Sequence, residues 1–321
     1  MTITRLLAAA FALCFATLAG AQPYPSKVVK IIVPFPPGQA TDTLARLVAD
    51  SLSTSLRQPF VIDNRPGAGG ILGTQAAAGA PADGYTLVMA PISSFAIVKA
   101  LQPNLPYDPL KDFAPITNIG LTPQTFMVNP NSGINSIKDL VDRARAKPGE
   151  IFYASSGNGS ASHLAVESFR LAAGITLTHV PFKGNSDAFA QVIGGQLPFM
   201  SDAIPGAVPQ VKGGKLKAIG VASLTRSPYL PEVPTIAEQG YPGFEVVGWI
   251  GIAAPAKTPD AILDLLNAEI RKALAKPEVK EKLTAASFVI VGDSRQEFTA
   301  FIQKEIDKWA KVVKEAGVKV D

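Results

Sequence analysis

Two segments concentrate small residues and hydroxyls where the surrounding pattern starts a helix. The first is Pro34-Phe35-Pro36-Pro37-Gly38-Gln39-Ala40-Thr41-Asp42, in which Gly38, Ala40 and Thr41 lack bulk. The second is Ala154-Ser155-Ser156-Gly157-Asn158-Gly159-Ser160-Ala161-Ser162-His163. The first N–H groups of a helix have no partner within it, and the macrodipole adds positive potential, so such loops favour anions. The serine and threonine hydroxyls add donors. Neither loop contains Arg or Lys, so the expected chemistry is capture of a carboxylate by neutral groups. Capping alone would account for either loop singly; one in each half of the chain points to a ligand held between them. His163 beside Ser160 leaves open a second class, a secreted serine hydrolase, although no Asp or Glu partner stands nearby in sequence.

Other chemistries find little support. There is no G-x-S-x-G, no H-E-x-x-H and no phosphate loop. Gly67-Ala68-Gly69-Gly70-Ile71-Leu72-Gly73 resembles a dinucleotide fingerprint, but Leu72 stands at the third glycine and no acidic residue ends the next strand. These glycines read as a tight strand-to-helix turn with positive φ. With one cysteine, Cys14, and two histidines, His163 and His179, neither a disulfide framework nor a metal site is expected, and no cofactor is expected. A formal charge of +4 without a block of like charge does not indicate nucleic acid.

The elements that position the loops alternate. Val28 to Pro34 is a continuous apolar run, as in a strand buried on both faces. A helix capped by Thr41 follows, with Leu44, Leu47, Val48 and Leu52 on one face. Strand 60–63, helix 71–78 and strand 85–90 complete a βαβαβ unit, hence an α/β fold with a parallel sheet. Residues 113–129 read as extended and carry the chain to a second series. That series has helices at 137–146, capped by a Ser136/Asp139 box, 161–173, 186–193 and 204–211, with strands at 151–154, 176–182, 197–201 and 216–223. Strand 244–254 and two amphipathic helices close the chain, one capped at Thr258-Pro259 and one by a Ser294/Glu297 capping box. The stripe Phe298, Phe301, Ile302, Ile306, Trp309 reads as core.

At 321 residues, two domains are expected: lobe 1 from 22–124 and 224–321, with lobe 2, 125–223, inserted. Residues 1–21 have the layout of a secretory signal peptide: Arg5, an apolar run from Leu6 to Leu18, and Ala19-Gly20-Ala21. Cleavage near Ala21 would give an exported, periplasmic protein. Leu13 before Cys14 disfavours lipidation.

The ordered motifs YPSKVVKIIVPFPPGQATDTLAR, FVIDNRPGAGGILGTQAAAGAPADGYTLVMA, YASSGNGSASHLAVESF, HVPFKGNSDAFAQVIGGQLPFMSDAIPGAVPQVKGGKLKAI and GFEVVGWIGIAAP resemble the Bug receptors, substrate-binding proteins of the tripartite tricarboxylate transporter class. The resemblance spans essentially the whole mature chain. It implies a two-lobed periplasmic-binding-protein fold (venus flytrap, type II) with two crossover strands, no catalysis, a monomer, and a small carboxylate delivered to a membrane permease of that class or reported to a sensor. By position it implies ligand contacts at Phe35, Gly38, Gln39, Ala40, Thr41 and Asp42 in lobe 1. In lobe 2 it implies Ser155, Ser156, Gly157, Asn158, Gly159, Ser160 and His163. Ser93, Ser94, Lys183, Gly184 and Asp202 match the cleft rim. Gln39 departs from the family, which commonly has a second glycine there.

Overall fold

The computed structural model describes residues 24–318; the signal-peptide reading of residues 1–21 lies outside them. The chain opens with β1 (Val29–Val33), α1 (Ala40–Leu56), β2 (Phe60–Asn64), α2 (Ile71–Ala78) and β3 (Thr86–Pro91). β1 is parallel to both β2 and β3, as its unbroken apolar run requires. A π-helical turn, Ser93–Ile97, runs into the short helix α3 (Val98–Leu101). Then β4 (Phe113–Val128) extends for 16 residues without one ionisable side chain.

β4 joins two sheets. Its first part pairs antiparallel with β9 (Val247–Pro255), which in turn pairs with β3. From Gln124 onward it pairs instead with β7 (Phe199–Ala203) and β8 (Lys217–Val221). Gln124 marks the changeover: its N–H donates to Val246 and its carbonyl accepts from Ala222, where the chain returns. Pro115, which cannot donate to a ladder, sits at a register shift.

The second sheet is completed by β5 (Phe152–Ser155), parallel to β6 (Thr178–Pro181) and to β7. Its helices are α4 (Ile137–Ala146), α5 (Ala161–Ala173), α6 (Asn185–Ile193) and α7 (Ile204–Lys212). The described chain ends with α8 (Asp260–Ala275), α9 (Pro277–Ala285), β10 (Val289–Ile290) and α10 (Arg295–Ala316). α10 packs on β4, on the Ser93–Leu101 segment and on α5, so it spans both sheets. Its apolar stripe is core: Phe298 and Trp309 are fully buried, and Trp249 and Trp309 both donate to Glu305.

Several expectations need correction. Thr41 does not cap α1: the helix begins at Ala40, the cap position is Gln39, and no side chain bonds there. Pro259, not Thr258, is the cap of α8, because the Thr258 hydroxyl turns back to donate to the Pro255 carbonyl. At α4, Ser136 accepts from the Asp139 N–H, but the Asp139 carboxylate accepts from the Asn135 N–H, so the box is only half formed. Among the described residues three helices, not two, follow β9, because Pro277 starts a new one after α8. The capping box of α10, by contrast, is complete as expected, with Ser294 and Glu297 each accepting from the other's N–H.

Candidate ligand-binding cleft

The α1 loop is held from below by Asp42. Its carboxylate, 2% exposed, accepts from the Gly38 N–H at 2.9 Å, from Arg46 through Nε and Nη2, and from Asn64 Nδ2. Asn64 Nδ2 also donates to the Phe35 carbonyl. Burial alone would raise the Asp42 pKa, but these donors outweigh it and hold the carboxyl below its usual range. Asp42 is therefore a fastener facing away from the cleft. Gly38 takes φ +82°, a left-handed conformation that favours glycine.

The α5 loop has its own fastening. Ser162 Oγ accepts from the Ser156 N–H and shares hydrogen bonds with the Ser156 and Ser160 hydroxyls. Ser160 caps α5 by accepting from the His163 N–H. His163 Nδ1 accepts from the Gly159 N–H, which puts the proton of a neutral ring on Nε2. The His163 ring stacks on His179 at 3.7 Å between centroids and 6° between planes, and His179 Nε2 shares a 2.6 Å hydrogen bond with Ser155 Oγ. Burial, followed by the charge of Arg170, pushes His163 down to about 4; burial, followed by His163, pushes His179 to about 4. The serine hydrolase alternative does not assemble. Ser160 Oγ meets the main-chain N–H of His163, and the ring nitrogen within the loop is already occupied by Gly159.

Between the loops lies a cavity of about 950 Å³, lined by Phe35, Gln39, Ala40, Ser93, Ser156, Asn158, Gly159, Ser160 and Gly184 among others. A smaller one of about 230 Å³ sits against the crossing strands; it shares Phe35, Gln39, Ala40, Ser93, Ser156 and Asn185 with the first and adds Thr41 and Asp202. Gln39, the departure from the family pattern, lines both. Of the expected contacts, Gly38, Asp42, Ser94, Ser155, Gly157, His163 and Lys183 line neither cavity. Asp42, Ser155 and His163 are turned under their loops, Ser94 is fully buried, and Lys183 is exposed to solvent.

Sequence reasoning missed Asn185, whose Nδ2 donates to Asp202 Oδ1, and Thr122, Gln124 and Trp249 from the two crossing strands. It also missed the Ala68-Gly69 turn as a wall of the larger cavity. Residues 67–70 do take positive φ, as expected of a tight turn. Only the position of β4 and β9 at the base of the cleft could have pointed to Gln124 and Trp249.

The electrostatics follow from what lines the walls. Neither cavity is lined by Lys or Arg among the described residues, and Asp202 is the one ionisable lining residue. The helix starts at Ala40, Ala161, Asn185 and Ile204, and the Ser93 turn, all reach the cleft. No side chain caps the starts at Gln39 or Gly184, so their first N–H groups remain available to an anion, whereas the α7 start is already faced by the Asp202 carboxyl, which accepts from the Ala203 N–H.

Residues 44–318 match the model of the tripartite tricarboxylate transporter family receptor. The chain belongs to that receptor family. It is 38% identical over 326 residues to Protein BugT of Bordetella pertussis, covering all of both chains. An R. palustris protein solved with adipate superposes with a TM-score of 0.80 at 35% identity, over 92% of this chain and 99% of that one. MatC from Rhodopseudomonas palustris with bound malate gives 0.76 at 33%, over 90% and 100%. The fold is thus that of a periplasmic-binding-protein-like α/β receptor, and the family is one of solute-binding receptors rather than of enzymes.

Proposed function

We propose that the protein is an exported receptor that captures a small carboxylate between its two lobes and delivers it to a permease of the tripartite tricarboxylate transporter class or reports it to a sensor. The observation that carries this reading is the convergence of the helix N-termini at Ala40, Ala161 and Asn185 and several hydroxyls on cavities without a wall cation. The carboxylate sits against the N–H groups of the Ala40 and Ala161 helix starts, with Ser93, Ser156 and Ser160 as hydroxyl donors and Asn158, Asn185 and Gln39 as amide contacts. Phe35 covers its apolar part. Lobe 1 comprises 22–124 and 224–321, lobe 2 comprises 125–223, and the mature monomer starts near Gln22. The adipate and malate held by the two R. palustris proteins support a carboxylate, and which acid fits here depends on the space that Gln39 leaves.

A thermal-shift screen of acetate, malate, adipate, aspartate and benzoate tests the reading. A ligand at a hundredfold excess over its Kd stabilises by about 2.7 kcal/mol, well above detection. The hit is then compared with its methyl ester, which keeps the shape and removes the charge. If the ester binds as tightly as the acid, or if no acid binds, the anion site is not where we place it.

A further inference from the structure

Asp202 lies on β7 and lines the smaller cavity, yet it is 5% exposed. Its Oδ1 accepts from Asn185 Nδ2 at 2.9 Å. Its Oδ2 lies so close to the first turn of α7 that a Cβ on Gly206 would come within 2.1 Å of it. Glycine at 206 is what lets the carboxyl rest there.

Among the described residues no cation compensates it. β4 has no ionisable residue between Phe113 and Val128. On β5, β6 and α5, Tyr153 donates to Glu167, Glu167 pairs with Arg170, and His163 stacks on His179. On α6 Asp187 is exposed, as is Lys183 just before it. Lys212 is the last residue of α7, and Lys217 of β8 is bonded to Asn135. Across the cleft Asp42 is paired with Arg46.

The same small cavity is bordered by the helix starts that attract an anion. A carboxylate seated in the smaller cavity, of about 230 Å³, shares its wall with Asp202, and of two carboxylates sharing a cation-free site one has its pKa strongly raised. We propose that Asp202 is the proton-bearing wall of the ligand site: it meets the bound carboxylate as a neutral carboxyl and donates a hydrogen bond to it, so capture by the ionised receptor takes up one proton from solvent. This rests on the carboxylate reading above and adds the acid that completes the site. Burial outweighs a hydrogen bond from the Ala203 N–H and pushes Asp202 up to about 7, so the proton is readily acquired near neutral pH. Burial raises the pKa here because it penalises the charged form, and a neighbouring anion raises it further.

Calorimetric titration of those acids in the same panel that bind, in HEPES and in Tris, counts the protons exchanged. At pH 8.5 an uptake approaching one proton per ligand is expected. Kd is expected to be flat below pH 6.5 and to rise nearly tenfold between pH 7.5 and 8.5. Asp202→Asn, which can still donate, is expected to lose the pH dependence, its Kd at pH 8.5 equalling its own Kd at pH 6.5. No other wall residue titrates in this window, and His163 and His179 lie near 4, below it. If an acid binds with no proton uptake and a flat Kd, this inference falls and the carboxylate reading stands. If Asp202→Asn abolishes binding while the wild-type Kd stays flat, Asp202 acts instead as an ionised acceptor. If no acid in the panel binds at any pH, both readings fall together.

Discussion

Mild acid is expected to weaken the fold through the stacked histidines under the α5 loop, against an opposing gain from Asp202. In the unfolded chain each titrates near 6.5, whereas in the fold each is held to about 4. Because the folded pKa is depressed, the pair contributes stability that is fully present above pH 6.5 and is lost as the pH falls toward 4. For His163, 6% exposed, a shift from 6.5 to about 4 corresponds to about 2 kcal/mol lost between pH 7.5 and 5.0. His179 is only half-buried, and solvent screening reduces its share to about 1 kcal/mol. Asp202, pushed up to about 7 by burial, takes up a proton in the fold over the same window and so stabilises on acidification, masking the loss in wild type; in an Asp202→Asn background the histidine sum of about 3 kcal/mol lowers Tm by about 6 °C in a chain of this size. Ending the series at pH 5.0 keeps it above the range in which most carboxylates titrate. The assay is thermal unfolding followed by circular dichroism from pH 7.5 to 5.0, for Asp202→Asn and for the triple variant that adds His163→Asn and His179→Gln. Asn at 163 preserves an acceptor near the Gly159 N–H, and Gln at 179 can still bond Ser155. The triple variant is expected to start at a lower Tm and to lose less than half as much on acidification. If the triple variant shows the full slope of Asp202→Asn, the acid sensitivity resides elsewhere and the stacked pair is not what holds the loop.

Three further outcomes follow from contacts described above. Ser156→Ala removes a wall hydroxyl, and since a hydrogen bond to a charged group contributes about 1.5 kcal/mol, calorimetry is expected to show roughly tenfold weaker carboxylate binding with Tm almost unchanged. Asp42→Ala strands the Gly38 N–H and Asn64 and releases Arg46; urea unfolding is expected to show a loss of about 2 kcal/mol, and ligand affinity to fall although Asp42 does not line the cleft. Gly251→Ala would put a Cβ 2.2 Å from the Phe298 ring and 2.7 Å from the Thr117 carbonyl, and a cost of about 2 kcal/mol in the same assay is expected.

The alternation of strands and helices was legible because it is written in local periodicity, and β4 because sixteen residues without a charge can only be buried. The Ser93–Leu101 helix was not legible, since Ser94, Phe95, Ala96 and Ile97 are all buried and no polar face reveals a helical period. α9 escaped because it is short, charged and set off from α8 only by Pro277. The two anion loops could be read from their small residues, but the roles inside them could not. Asp42 takes its partner Asn64 from β2, and His163 takes His179 from β6; neither pairing leaves a local trace.

The placement of Asp42 and His163 beneath their loops has one cause. A site that holds an anion with main-chain N–H groups needs residues small enough to let the ligand approach, and such loops have little packing of their own to fix their shape. The shape must come from behind, through side chains with several hydrogen bonds to offer. Asp42 gathers Gly38, Arg46 and Asn64, and the Ser160, Ser162 and His163 set gathers Ser156 and Gly159. The most reactive-looking residues in each loop are therefore the ones turned away from the cavities, and the groups that line them are those a sequence does not distinguish. Asp202 departs from that pattern: it is an ionisable side chain on the wall itself, with no cation beside it among the described residues. In a cleft otherwise built from neutral donors, a carboxyl can serve an anionic ligand only by carrying a proton, which makes the pH dependence of Kd the measurement that separates a frame residue from a contact.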